Sequence, residues 1–102
     1  MKLIKELVCD IHDELESAEH YAKKAALYKD TEKAVADNYA RMAEAELGHV
    51  NSLHEQAVRI IKDYRAAGNE PPAAMQAVWD YEHEQQIDKV ASIKMLLTVY
   101  RS

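Results

Sequence analysis

Cysteine is almost missing from this 102-residue chain: Cys9 is the single one. One thiol forms no internal disulfide and no four-thiolate zinc site, so neither a disulfide-stapled secreted domain nor a zinc finger is expected, and a reducing cytoplasm fits best. Phenylalanine is absent and there are two glycines and two prolines. That composition, with 48% hydrophobic and 30% charged residues, argues against a β-sandwich, a collagen or a disordered tail. No apolar run approaches the roughly 20 residues that span a bilayer, and the first segment carries an acid by Glu6, unlike a signal peptide. No Lys/Arg cluster occurs, and with 13 basic against 18 acidic residues the net charge is −5, which repels nucleic acid. The expected partners therefore include neither nucleic acid nor membrane.

What is present is helical patterning over the whole chain, in one all-α domain without a clear internal repeat. Helix A is expected over about 3–29, on a stripe of Ile4, Leu7, Val8, Ile11, Leu15, Ala18, Ala22 and Ala25. Asp30 or Thr31 is placed to cap the next helix, and Glu32 suits its positive end. Helix B follows over about 31–67, with Val35, Tyr39, Met42, Leu53, Ala57, Ile60 and Tyr64 as its stripe and Gly68-Asn69 as its stop. Glu70-Pro71-Pro72 opens helix C, about 71–101, carried by Met75, Val78, Trp79, Val90, Ile93, Leu96, Leu97 and Tyr100. Rods of this length do not bury their stripes alone. A hairpin of A and B plus a long third helix, completed to a four-helix bundle by a two-fold partner, is the expected architecture, so a homodimer or an assembly of dimers is expected.

Acids on the apolar stripes are the residues that call for a reason. Stepping at about 100° per residue puts Glu46 within roughly 10° of the centre of the helix B stripe, with His49 roughly 55° to one side. Both are expected to point inward. Glu14 lies at one edge of the helix A stripe, Glu19 at the other, and Glu16 well outside. Glu46 and His49 are three residues apart, a spacing that lets both side chains bind one metal ion. The E-x-x-H pattern alone arises easily by chance, and its inward phase is what gives it weight. Glu14, Glu46 and His49 are half of the four-Glu, two-His set of di-iron carboxylate bundles, and two-fold symmetry doubles it. Carboxylates with one imidazole per metal suit iron, with manganese as the other candidate. The metal-free alternative is a hydrogen-bonded Glu46–His49 pair, engaging Tyr39 or its symmetry mates, that sets dimer register.

Other polar residues read more plainly. Tyr21, Tyr39 and Tyr64 are core aromatics with a polar tip, Tyr39 being two turns before Glu46. Gly48 offers close helix approach beside the site. His12, His20, His54 and His83 fall off the stripes and read as solvated, and Cys9 as a small residue near the helix A core. Glu82, near the centre of the helix C stripe, is either a third-helix ligand or a buried acid paired with a Lys or Tyr.

Over roughly residues 10–66 the chain resembles the ferritin-like superfamily, and within it the encapsulated ferritins. DELESAEHY (13–21) is similar to that family's acid-rich first helix, and AEAELGHV (43–50) to its E-x-x-H helix. The resemblance implies that Glu14, Glu46 and His49 bind a di-iron centre between two subunits, that Glu16 lies near the iron access route, and that the activity is ferroxidase: oxidation of Fe(II) by dioxygen in iron storage or detoxification. Encapsulin cargo carries a Leu-Thr-Val tag, matched by Leu97-Thr98-Val99, which makes an encapsulin-type shell a candidate partner. A rubrerythrin-like di-iron peroxidase is a related alternative, although no Cys-x-x-Cys pair is present. A metal-free helical interaction protein is the rival from another class.

Overall fold

The computed structural model describes residues 2–102, and the described residues form three helices: α1 (Lys2–Tyr28), α2 (Lys33–Ala66) and α3 (Ala73–Arg101). They run up, down and up along a body of 56 × 19 × 18 Å. The radius of gyration of 16.3 Å exceeds the ~13 Å of a compact chain of this length because the helices lie side by side as rods.

The buried residues follow a seven-residue repeat on every helix. On α1 they include Ile4, Ile11, Ala18 and Ala25, with Leu15 and Ala22 between; on α2 Ala36, Ala43, Val50 and Ala57, with Ala40 between; on α3 Trp79, Gln86, Ile93 and Tyr100, with Leu97 between. This is coiled-coil geometry, in which each such stripe stays in contact with its neighbours along the length of the rod. The stripe expected on α2 from its large residues is rotated. Val35 is 44% exposed, Tyr39, Met42, Leu53, Ile60 and Tyr64 are half-buried, and the centre belongs to alanines. The reason is the shape of the α1 face opposite: Ala18, Ala22 and Ala25 let α2 approach closely, and only small residues fit between the two backbones. Similarly Val78 on α3 is exposed, as is Cys9 on α1.

The connections explain the helix ends. Thr31 and Glu32 donate their backbone N–H groups to the Tyr28 carbonyl, so α2 starts at Lys33 with Glu32 as its N-cap, and neither Asp30 nor Thr31 takes the capping position. At the end of α2, Gly68 has φ +86°, its N–H bonds the Arg65 carbonyl, and the Asn69 N–H bonds that of Tyr64. This pair of bonds closes a Schellman motif around the left-handed glycine, as the Gly-Asn signal predicted. Pro71 and Pro72 precede α3, Pro72 being its N-cap rather than a first-turn residue.

α3 packs along one flank of α1 and meets α2 chiefly near its two ends. At its C-terminal end Lys29 Nζ donates to the carbonyls of Val99 and Ser102, at 3.3 and 3.2 Å, where a cation suits the negative helix end. The Tyr100 hydroxyl donates to Asp37 Oδ1, Lys33 Nζ bridges Asp37 at 2.9 Å and Tyr100 at 3.0 Å, and Arg101 pairs with Glu44. Leu97-Thr98-Val99 is part of this anchored helix, with Leu97 buried, not a free extension.

Two outcomes are expected. Ala22→Leu forces three extra side-chain carbons into the fully buried α1–α2 seam and should destabilise the fold by about 1–3 kcal/mol in urea titrations. Tyr100→Phe should lower the melting temperature at neutral pH. The Tyr100 and Lys33 hydrogen bonds hold the Asp37 carboxyl below its ordinary value of 3.8. A depressed carboxylate stabilises above its unfolded pKa and stops doing so as pH falls through the folded one. The difference between Tyr100→Phe and the parent should therefore shrink as thermal melts are taken from neutral pH to below 3.8.

Candidate functional site

Between the buried stripe of α1 and that of α2 lies a second row of residues, on the flank of the hairpin away from α3. It contains Leu7, Glu14, Tyr21 and Tyr28 on α1 and Tyr39, Glu46, Leu53 and Ile60 on α2, again seven apart on each helix, and all are half-buried. Antiparallel register brings their rows together. Tyr21 and Tyr39 stack at 6.0 Å between ring centroids, and two turns further along, Glu14 meets Glu46 and His49.

The cluster is tight. One ligand atom from each of Glu14, Glu46 and His49 lies within 4.8 Å of the others. His49 Nδ1 is 3.3 Å from Glu14 Oε2 and 3.7 Å from Glu46 Oε2, so a single imidazole nitrogen faces both carboxylates. Side-chain exposure rises from 21% for Glu46 and 31% for Glu14 to 59% for His49. The inward orientation expected of Glu46 and His49 is thus corrected. In the single chain Ala43 and Val50 hold the buried stripe, Glu46 sits on its flank, and His49 stands at the rim, open to solvent. Chemically, the site is a three-donor half-cup of two carboxylates and an imidazole, of the size that one divalent cation spans, with its open side facing outward.

The remaining candidates divide. Tyr39 lies on the same flank, engaged with Tyr21 through ring stacking. Glu16 is on a different face of α1, exposed, with His12 Nδ1 3.8 Å away, in a separate exposed group of His12, Asp13 and Glu16. Glu82 is half-buried between α3 and the other flank of α1 and does not join Glu14, Glu46 and His49 in any cluster of metal-binding groups among the described residues. It faces away because α3 packs on the flank of α1 that carries Lys5, His12 and Glu19; Glu19 pairs there with Lys89 at 3.5 Å. Gly48 has no atom within 4 Å of where a Cβ would stand, so it marks open space and no close helix approach.

Sequence phase misplaced two histidines. His54 and His83 occupy stripe positions of α2 and α3, are half-buried, and stack with each other and with Trp79. Burial, and then the neighbouring His83, push the His54 pKa below the ordinary histidine range. The signal that finds them is the seven-residue count Ala40, Leu47, His54 on α2 and His83, Val90, Leu97 on α3, which becomes visible once alanines are counted as core. No family model, curated protein or solved structure matches the chain, so the reading of this site rests on its own geometry.

Proposed function

We propose that the protein is a di-iron ferroxidase whose metal centre is completed by a second copy of the chain. The observation that carries the reading is the convergence of Glu14, Glu46 and His49 from two helices on one point within 4.8 Å, in the middle of an uncovered, half-buried row of tyrosine, leucine and isoleucine. Two like-charged carboxylates held this close repel unless a cation or proton lies between them, and hard oxygen donors with one imidazole fit iron, or manganese, better than softer metals. A two-fold partner laid on the same row would cover its apolar residues and bring a second half-cup opposite the first, giving four glutamates and two histidines.

Each residue then has a task set by its position. Glu46, the less exposed carboxylate, and Glu14 would supply the oxygen donors from α2 and α1, and His49 Nδ1, which faces both, would supply the imidazole nitrogen. Iron bound there supplies the one-electron chemistry that passes electrons from Fe(II) to dioxygen. The alanine seam behind the site holds the two backbones in fixed register, so the donors stay in place with little rearrangement.

A second reading has its own support. The 3.3 Å contact between His49 and Glu14 is already a hydrogen bond, so the same residues serve as a metal-free polar lock in a helical interaction protein.

Anaerobic titration of the metal-free protein with Fe(II) is expected to show about one tight site per chain, as a centre shared across a dimer requires. Glu46→Ala should abolish rapid Fe(II) oxidation, with helical content by circular dichroism nearly unchanged; an undiminished rate in that variant would sink the proposal. Melting curves with and without Fe(II) or Mn(II) separate the two readings. Binding to the folded state alone raises the melting temperature by mass action, by an amount that grows with metal concentration, whereas the metal-free lock predicts no shift.

A further inference from the structure

The two ends of α3 are fastened to the hairpin by different chemistry. Toward its C-terminus Ile93, Leu97 and Tyr100 are buried in the main core, and Tyr100 and Arg101 engage Asp37 and Glu44 of α2. In its first half only Trp79 and Gln86 are buried, and Trp79 belongs to a separate small cluster with Ile4 of α1 and Ala57 of α2. Val78, Tyr81 and Ile87 of the same half are exposed. This half is held to α2 by a stack of three rings. His54 of α2 lies 4.7 Å from His83, and Trp79 lies 5.9 Å from His54 and 5.7 Å from His83, with every pair of planes within 17° of parallel. Beyond the stack α2 and α3 part around a groove of about 620 Å³, so no apolar seam backs it there. The other link at this end, from Arg65 to Gln76 at 2.6 Å, is exposed to water.

We propose that His54, His83 and Trp79 form an acid-released clasp: protonation of the two imidazoles frees the first half of α3 from α2 while its C-terminal half stays docked. Neutral rings stacked nearly parallel gain dispersion and shared burial, and a single proton is still tolerated against the indole face. Two positive rings 4.7 Å apart repel, and a half-buried site screens them poorly. Little in the surroundings answers that charge. On α2 Glu55 favours a protonated His54; on α3 Lys94 lines the groove beside His83, and Glu82 lies on the Trp79 side; on α1 Ile4, Lys5, Val8 and Cys9 wall Trp79. Released from the stack, His54 takes the ordinary value of 6.5, whereas in the stack burial and then His83 hold it lower. Acid therefore favours release. The clasp is at full strength above 6.5 and weakens as pH falls below it, until His54 is protonated within the stack as well. The C-terminal fastening outlasts it, because Tyr100 and Lys33 hold the Asp37 carboxyl below 3.8. The clasp shares no residue with Glu14, Glu46 and His49 and stands or falls separately from the ferroxidase reading.

The experiment is amide hydrogen exchange of the full metal-free chain, read by peptide mass spectrometry at about pH 7.5 and about pH 5 and corrected for the intrinsic exchange rate. Protection over 76–88 is expected to fall roughly tenfold or more at the lower pH, with 93–100 unchanged. His54→Phe keeps a flat ring in the stack but has no proton to gain, and should abolish the fall; it also separates the clasp from titration of His49 beside Glu14 and Glu46. Equal protection of 76–88 at both pH values, a loss that spreads to 93–100, or a fall that His54→Phe leaves intact overturns the proposal. If His54→Phe disrupts the fold, ring NMR titration of His54 decides, in the parent chain and in His83→Gln. A midpoint below 6.5 that His83→Gln raises supports the clasp, and any other result overturns it.

Discussion

Everything in this molecule is positioned by the close approach of α1 and α2 along their alanines. Ala18, Ala22 and Ala25 on one helix and Ala36, Ala40 and Ala43 on the other are at most 2% exposed. Small residues forgo the larger hydrophobic gain of leucine, but they bring the backbones near enough that dispersion contacts run along both helices and the register has little freedom to slip. The flanking rows are consequently set face to face. Tyr21 finds Tyr39, and Glu14 finds Glu46 and His49, 32 and 35 positions away in the sequence, because the seam sets the two rows against each other.

The third helix responds to the same geometry. Since α2 occupies one flank of α1, α3 takes the other, where Lys89 meets Glu19 and Ile93 enters the shared core. Charge fixes its C-terminal end: Lys29, Lys33, Asp37 and Glu44 engage Val99, Tyr100, Arg101 and Ser102. Ring stacking fixes the other, through Trp79, His54 and His83. The middle stretch is left with a groove against α2, walled mainly by apolar residues such as Leu47, Val50 and Val90. One flank of the hairpin thus presents the Glu14, Glu46 and His49 cluster and the α2–α3 groove presents His54 and His83, two different surfaces built on a single core.

An elongated body with one uncovered half-buried row also bears on how the chain satisfies its own acids. In the isolated chain Glu46 keeps part of its hydration at the rim and pairs with His49, which limits the desolvation cost that a fully inward carboxylate would carry. Covering the row with another molecule would remove that water, and a cation between the carboxylates would then offset the loss.

The sequence by itself determined the helices, their approximate limits, the Gly68 stop and the pairing of Glu46 with His49, because periodicity, breaker residues and i,i+3 spacing are local properties of the chain, whereas the antiparallel seam brought Glu14 to that pair. It did not reveal which face of α2 is innermost. Hydrophobic size pointed to Tyr39, Met42 and Leu53, whereas the alanines won, since what fits between two helices depends on how closely the opposite face allows them to come. The same dependence hid the destination of α3. By phase Glu82 was open to two roles, metal ligand or buried acid, and only the choice of flank on α1 put it away from Glu14. His54 and His83 lie 29 residues apart in sequence, and nothing local announces their stack. Helix packing decided it, because long-range contact is set by the fit of whole surfaces, not by the pattern on any one of them.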